Sequence, residues 1–174
     1  MAWRAILLHH ETSPALRAWA THVGSLTAKL RERYPDLRVK VLRQTRARPH
    51  VDECAALGIA PTDFAWIRDV VLLSGNTPLV VAHSVLPPQN LVGAWSLFSA
   101  LGARPLGEVL FTDPAITRGP LYFSAITARH PFAAMAQAAC PASALPHTLW
   151  ARRSLFQRGG KGLLVSEIFL PSLL

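Results

Sequence analysis

Two charged residues lie within apolar, strand-like segments of the sequence, and they are the first candidates for chemistry. Arg68 alternates with apolar residues along one predicted strand, and Glu167 does so along another. The apolar neighbours are Trp66, Val70 and Leu72 around Arg68, and Leu163, Val165 and Phe169 around Glu167. Since an unpaired buried charge costs several kcal/mol, each side chain needs a partner. In one interpretation the two residues pair with each other or lie at a sheet edge. In the other they line a pocket in which arginine binds a planar carboxylate through two hydrogen bonds.

Two predicted helix starts add backbone donors to these side chains. The first turns at Ser25-Leu26-Thr27 and at Pro105-Leu106-Gly107 leave N–H groups without intrahelical partners. With the helix dipole behind them, such groups suit an anion. Every helix has such an end, and most of these ends bind water or a cap, so this feature alone does not establish a ligand site.

Three other groupings do not predict a catalytic or metal site. His9-His10-Glu11 offers ligand atoms but no clear geometry for a metal. Cys54 and His50 lack a third group that would orient a thiol nucleophile. Residues 159–162 lack the spacing of a phosphate-binding loop and join two predicted strands, which is typical of a hairpin turn. Cys54 and Cys140 fit no metal or redox spacing, and we expect free thiols. We therefore expect no metal site among these residues.

The hydrophobic pattern predicts the elements that must position these residues. Helices are predicted from Ser13-Pro14 and over residues 25–33, 91–101 and 106–111. Strands are predicted over residues 37–43, 64–73, 79–86, 149–157 and 163–170. Residues 44–63 lack periodicity and predict an irregular connection, while residues 114–145 are ambiguous. Hairpin-linked strands with helices between them predict an α+β fold, a single domain over residues 1–174 with a mainly antiparallel β-sheet and flanking helices.

The chain carries a formal net charge of +8, and its basic residues crowd between positions 29 and 48. Residues 37–41 alternate apolar and basic, which predicts a strand with its charges on the solvated face. Attraction of an acidic small molecule, a membrane surface or a nucleic acid is the alternative. No nucleic-acid-binding motif accompanies the charge. No apolar run approaches the roughly 20 residues of a membrane-spanning helix, and the first ten residues lack a signal-peptide core.

Six short segments form a recognisable series along the chain. They are Trp66-Ile67-Arg68-Asp69, Ala82-His83-Ser84-Val85-Leu86-Pro87, Leu101-Gly102-Ala103-Arg104-Pro105-Leu106-Gly107, Leu110-Phe111-Thr112, Leu149-Trp150-Ala151-Arg152-Arg153-Ser154 and Ser166-Glu167-Ile168-Phe169-Leu170-Pro171. In this order they resemble the bacterial chorismate pyruvate-lyases, which make the first aromatic precursor of ubiquinone. The resemblance runs from about residue 13 to the end and is clearest after Phe64.

The resemblance implies a fold and a set of site residues. It implies an antiparallel sheet whose flanking helices close over an internal ligand pocket. It implies Arg68 and Glu167 as catalytic and substrate-binding side chains, and Leu26 and Leu106 as backbone contacts to the substrate. His83 stands where the family often has an arginine. Either the histidine takes over a polar contact there, or that contact is absent.

The resemblance also implies an activity, the elimination of pyruvate from chorismate to give 4-hydroxybenzoate without a metal or redox cofactor. Glu167 would either transfer a proton or position the ring. We expect chorismate and 4-hydroxybenzoate as ligands of a cytoplasmic monomer, no nucleic acid and no stable membrane insertion, with transient contact to a membrane surface as an alternative. The rival hypotheses are a non-catalytic effector-sensing domain of the same fold and an enzyme acting on an altered chorismate-like substrate. Sensing domains are normally attached to a DNA-binding segment, for which we expect no room here.

Overall fold

Seven strands and six α-helices make up the part of the chain that the structure describes. The structure is a computed structural model, and it describes residues 3–93, 95–141 and 144–174. The strands are β1 (Arg38–Ala47), β2 (Ala65–Ser74), β3 (Thr77–Leu86), β4 (Ile116–Arg118), β5 (Tyr122–Thr127), β6 (Thr148–Arg158) and β7 (Lys161–Phe169). The helices are α1 (Pro14–Ala20), α2 (Leu26–Arg33), α3 (Val51–Leu57), α4 (Pro88–Leu91), α5 (Leu106–Thr112) and α6 (Pro131–Ala139), with 3-10 turns at His9–Glu11, Ser96–Ala100 and Pro171–Leu173.

The seven strands form one antiparallel sheet. Its order is β1-β2-β3-β7-β6-β4, and β5 pairs with β6. Two tight hairpins supply the central strands: Ser74 pairs with Thr77 between β2 and β3, and Arg158 pairs with Lys161 between β6 and β7. The hairpins join side by side through β3 and β7. The predicted α+β fold with a mainly antiparallel sheet is confirmed.

Helices cover both faces of this sheet. On the first face, α1, α2 and α5 pack against alternate strand residues such as Val70 and Val165. On the second face, α3 and α6 pack against the intervening residues, such as Val71 and Leu164. A fully buried side chain such as Leu30 of α2, which is 0% exposed, stabilises the fold by roughly 1.5–3 kcal/mol. The sheet is therefore a central layer, and helices cover the middle of both its faces.

The predicted starts of α1 and α2 are confirmed, and both have the expected cap. The side chain of Ser13 accepts from the backbone N–H of Leu16, with proline at the first helical position. The side chain of Ser25 accepts from the backbone N–H of Ala28. These caps fix where each helix begins and hence where its unpaired N–H groups lie.

The irregular connection predicted over residues 44–63 is wrong. Strand β1 continues to Ala47, which pairs with Ala65 of β2, because pairing along a long neighbouring strand outweighs weak local periodicity. Helix α3 follows at once. Glu53 accepts from the backbone N–H of His50 at 2.9 Å, and Gly58 ends the helix in the left-handed conformation.

The helix predicted over residues 91–101 is also wrong. Helix α4 ends at Leu91, and the chain resumes as a 3-10 turn over Ser96–Ala100. Between them Gly93 has a φ of 80°, a conformation outside the right-handed helix. In the ambiguous stretch over residues 114–145, the structure has β4, β5 and α6.

The basic residues of β1 are solvated, as predicted for Arg38 and Lys40, although Arg46 lies on the opposite face of the strand. Arg38, Lys40, Arg43 and Arg46 are exposed. Within the described ranges, no helix has the length and apolar character needed to span a membrane. Both cysteines are buried free thiols, as expected.

Candidate functional site

An enclosed pocket lies on the first face of the sheet, beneath the first turns of α2 and α5. Its lining includes the four residues that the sequence predicts for the site, which are Leu26, Arg68, Leu106 and Glu167. Two further arginines line it: Arg118 at the end of β4 and Arg152 on β6. The structure thus brings all the predicted residues together and adds two cations that the sequence did not predict for the site.

Arg68 is a buried cation held by backbone carbonyl groups. Its side chain is 1% exposed, and Nη2 donates to the carbonyl oxygens of Gly102 and Arg104 at 2.8 and 3.0 Å. Nε has no hydrogen-bond partner within the described ranges. Burial lowers the pKa of Arg68, yet a guanidinium keeps its charge in proteins. Arg68 is therefore fixed on one side while retaining a donor for an anion.

Glu167 pairs with Arg152. The two residues stand opposite each other on β7 and β6, and Arg152 Nε donates to Glu167 Oε2 at 2.6 Å. Arg152 Nη1 donates to the carbonyl oxygens of Ala20 and His22 at 3.2 and 2.6 Å. The alternative in which Arg68 pairs with Glu167 is wrong, and so is the sheet-edge alternative, since β2 and β7 are interior strands.

Arg118 packs against two aromatic rings, and it lines the same pocket as Arg152 and Glu167. Its guanidinium carbon is 5.6 Å from the ring centre of Phe111 and 5.4 Å from that of Phe156. Nε donates to Ser154 Oγ at 3.0 Å, and Nη1 donates to the carbonyl oxygen of Val23 at 2.8 Å. Burial, then the positive charge of Arg152, lower the pKa of Arg118 to about 10, against the opposing effect of Glu167. The charges of Arg152 and Glu167 therefore both act on Arg118.

The sequence carried a signal for one of these two arginines. Arg152 alternates with Trp150, Ser154 and Phe156, which is the same pattern that singled out Arg68. Its neighbour Arg153 obscured the pattern. Arg118 lies in the stretch without clear periodicity, and no sequence signal identified it.

The helices that cover the pocket approach each other closely. Leu26 and Leu106 are the first residues of α2 and α5, so their backbone N–H groups have no intrahelical partner. A side chain on Gly107 would come within 3.0 Å of a side-chain atom of α2. Arg31 of α2 and Glu108 of α5 form an ion pair on the outer surface. The two helices that form the cover, α2 and α5, are thus in contact, and an exposed ion pair links them.

His83 points away from the pocket, to the second face of the sheet. It is 1% exposed, with Nδ1 2.5 Å from Asp69 Oδ1 and Nε2 3.0 Å from Glu53 Oε1. Arg43 Nε donates to the other oxygen of Asp69 at 2.8 Å. Burial opposes protonation of His83, but the two carboxylates outweigh it and raise its pKa from 6.5 to about 9. His83 therefore joins β3 to β2 and α3 as a buried cation instead of contacting a ligand.

A metal at this cluster is disfavoured by the charge on His83. Within the described ranges, His50, Glu53 and His83 are the one group whose ligand atoms lie close enough, within 4.8 Å, to hold an ion. A metal would have to displace the proton that the raised pKa of His83 favours. The earlier candidate at residues 9–11 gains no support, since the His9 side chain lies outside what the structure describes.

Two other candidates are explained by structure alone. Burial raises the pKa of the Cys54 thiol, which makes it a weaker nucleophile at neutral pH. Gly159 and Gly160, with φ values of 55° and 74°, form the two-residue turn between β6 and β7. This is the hairpin turn that the sequence predicts.

Comparisons with known proteins place the chain among relatives of one kind. The sequence model of a family described as chorismate lyase matches residues 3–174. A protein of Aromatoleum aromaticum named "Probable chorismate pyruvate-lyase" is 48% identical over 159 residues, which cover 91% of this chain and 86% of that protein. A protein of the same name from Cupriavidus metallidurans is 41% identical over 174 residues, covering 99% and 81%.

Two solved structures with a similar fold come from transcription regulators. The C-terminal domain of the histidine utilization repressor from Pseudomonas syringae superposes with a TM-score of 0.60 at 13% identity, covering 79% of this chain and 94% of that one. A GntR-family regulator from Bacillus cereus gives a TM-score of 0.58 at 12% identity, covering 80% and 94%. At this identity the likeness concerns the fold alone.

Proposed function

The chain belongs to the chorismate lyase family, and from this premise we propose that it eliminates pyruvate from chorismate and leaves 4-hydroxybenzoate. The observation that carries the proposal is Arg68, a buried guanidinium whose Nε lacks a hydrogen-bond partner among the described residues. A buried arginine that lines a pocket and has no carboxylate as its own partner is suited to a ligand carboxylate. Both chorismate and 4-hydroxybenzoate carry one on the ring.

The reaction needs positioning more than chemical assistance. Chorismate is a cyclohexadiene whose enolpyruvyl ether stands next to a hydroxyl-bearing carbon. When the ether C–O bond breaks and the hydrogen on that neighbouring carbon leaves, the ring becomes aromatic and the enolpyruvyl group becomes pyruvate. The protein has to neutralise the carboxylates, hold a reactive conformer and exclude water.

Each of the four predicted site residues has a role in this scheme. Arg68 binds the ring carboxylate, while the N–H groups of Leu26 and Leu106 donate hydrogen bonds to the ligand. Glu167 contacts the end of the ring that bears the hydroxyl group. The proton passes to the enolpyruvyl methylene either through Glu167 or directly within the substrate, and the two routes predict different losses on substitution of Glu167. No step requires a metal or redox cofactor.

We place the activity at the first step of ubiquinone biosynthesis, in the cytoplasm, with the protein acting as a monomer. The exposed basic residues of β1 suit transient contact with an anionic membrane surface, and no feature of the described residues resembles a nucleic-acid-binding motif. The family and the charge distribution support these assignments.

The test is to incubate the purified, chelator-treated protein with chorismate. Chromatography should show 4-hydroxybenzoate, and a lactate dehydrogenase assay should show an equal amount of pyruvate. The matched control is Arg68→Ala, which should lose turnover. Binding of 4-hydroxybenzoate without any turnover of chorismate would favour the sensing domain, and activity that returns only with a divalent ion would refute the cofactor-free reaction.

A further inference from the structure

The charge of the pocket lining exceeds what one ring carboxylate requires. Its titratable residues are Arg68, Arg118, Arg152 and Glu167. Three arginines against one glutamate give a formal charge of +2. Because uncompensated buried charge is costly, this excess indicates a ligand with two negative charges. Arg68 accounts for one of them, and the second must be met elsewhere in the pocket.

The unassigned positive charge lies on Arg118 and Arg152. These two arginines share a single carboxylate, since Arg152 pairs with Glu167 and no ion pair of Arg118 occurs within the described ranges. The charge of Arg152 acts unfavourably on Arg118 and contributes to its lowered pKa. An anion placed between the two guanidinium groups would relieve that repulsion.

Both guanidinium groups are anchored in the same way. Arg118 uses Nε for Ser154 and Nη1 for the carbonyl of Val23. Arg152 uses Nε for Glu167 and Nη1 for carbonyls that include that of His22. In neither case does Nη2 have an acceptor among the described residues. Each arginine is thus fixed on two nitrogens and keeps the third for a ligand.

We propose that Arg118 and Arg152 form a second carboxylate subsite, which binds the enolpyruvyl carboxylate of chorismate. The inference rests on the proposed function and extends it to residues outside the predicted site. The enolpyruvyl ether is attached to the ring carbon next to the one that bears the hydroxyl. If Glu167 meets that hydroxyl, the second carboxylate lies beside Glu167, where Arg152 and Arg118 are found. After elimination the same subsite holds pyruvate.

The subsite is tested by comparing two ligands that differ in the second carboxylate. The first is 4-hydroxybenzoate, and the second is 3-(carboxymethoxy)-4-hydroxybenzoate, a stable aromatic analogue that carries both acids. Arg118→Gln should raise the Kd of the analogue by roughly 10- to 100-fold, because a charge-assisted contact is lost. The Kd of 4-hydroxybenzoate should change much less, because this ligand lacks the second carboxylate that Arg118 would bind. Titration calorimetry measures both.

Two further variants complete the design. Arg118→Lys keeps the charge without the planar fork and should recover part of the affinity for the analogue, so it also serves if Arg118→Gln folds poorly. Arg153→Gln is the matched control. Arg153 follows Arg152 directly but pairs with Asp52 on the second face, and this variant should leave the affinity ratio of the two ligands unchanged.

The outcomes separate the subsite from the proposed function. Equal effects of Arg118→Gln on both ligands, or no effect on either, would overturn the subsite even if chorismate is turned over. A selective loss of the analogue in a protein whose wild type does not convert chorismate would support the subsite and refute the lyase activity.

Discussion

Replacing Glu167 with glutamine distinguishes the two routes for the proton, because transfer through Glu167 and transfer within the substrate predict different losses of turnover. The variant keeps the size of the side chain and an oxygen that can accept from Arg152 Nε, which now lies 2.6 Å from Glu167 Oε2. It removes the negative charge and the capacity to take up a proton. If Glu167 transfers the proton, turnover should fall roughly 10²- to 10⁴-fold. If it only positions the ring hydroxyl, turnover should fall less and the affinity for 4-hydroxybenzoate should change with it.

The effect on stability can be worked out separately. A hydrogen bond to a charged group contributes about 1 kcal/mol more than a neutral one, so Glu167→Gln should lower the melting temperature by about 2–4 °C. Glu167→Ala leaves Nε of Arg152, a residue that is 1% exposed, without any acceptor in place of Glu167. Breaking a buried pair in this way costs roughly 3–5 kcal/mol. The glutamine variant should therefore stay folded where the alanine variant is clearly destabilised.

The assay measures the melting temperature, the affinity for 4-hydroxybenzoate and the single-turnover rate on one preparation of Glu167→Gln. Single turnover is needed because slow release of product would mask a change in the chemical step. Unchanged affinity together with an unchanged rate per folded molecule would remove Glu167 from the site and leave it a structural partner of Arg152.

Three more predictions follow from other parts of the molecule. Arg68→Ala should raise the Kd of 4-hydroxybenzoate, measured by calorimetry, by roughly 10- to 100-fold. Arg68→Lys should recover part of the lost affinity. Near-normal affinity in folded Arg68→Ala would contradict the binding of the ring carboxylate by Arg68. The raised pKa of His83, about 9 against 6.5, should contribute roughly 3 kcal/mol to the free energy of unfolding. This contribution is fully present below pH 6.5 and is lost as the pH rises through 9, so urea unfolding should show stability falling over that range. His83→Arg should abolish this dependence, and an unchanged decline would refute the assignment. Glu108→Gln, which breaks the exposed ion pair with Arg31, should weaken product affinity by at most about fivefold and speed the release of product. Stopped-flow measurements should find a smaller effect on the release rate at high salt. Equal release rates in the variant and the wild type would show that the ion pair does not hold the cover closed.

The strands and helix caps that position the pocket were predictable because their signals are local. Serine caps marked α1 and α2, and alternation marked Arg68 and Glu167 as charges on apolar faces. That alternation is a property of any strand, so it did not require knowledge of the neighbours. In the structure, both residues lie on the same face of one sheet.

Other features depend on which strands become neighbours, and the sequence does not encode that locally. Strand β1 extends to Ala47 because β2 offers partners along its whole length. Arg118 reaches the pocket from the three-residue strand β4, which is too short to show a period. The partner of Glu167 could be found only when β6 and β7 were placed in register. His83 pairs with Asp69 of β2 and Glu53 of α3, which are remote in sequence.

The register of β6 on β7 has a consequence for how the site forms during folding. Arg152 and Arg153 are adjacent, and each meets a carboxylate on its own side of the sheet, Glu167 or Asp52. A slip by one residue would exchange their faces yet still offer an arginine to each side, so these charges discriminate weakly against the misaligned hairpin. The turn at Gly159 and Gly160 must therefore carry much of that discrimination. A substitution at Gly159 or Gly160 that disfavours the positive φ would therefore shift the register of β6 on β7. It would disturb the pairing of Arg152 with Glu167, although it lies at the opposite end of the hairpin.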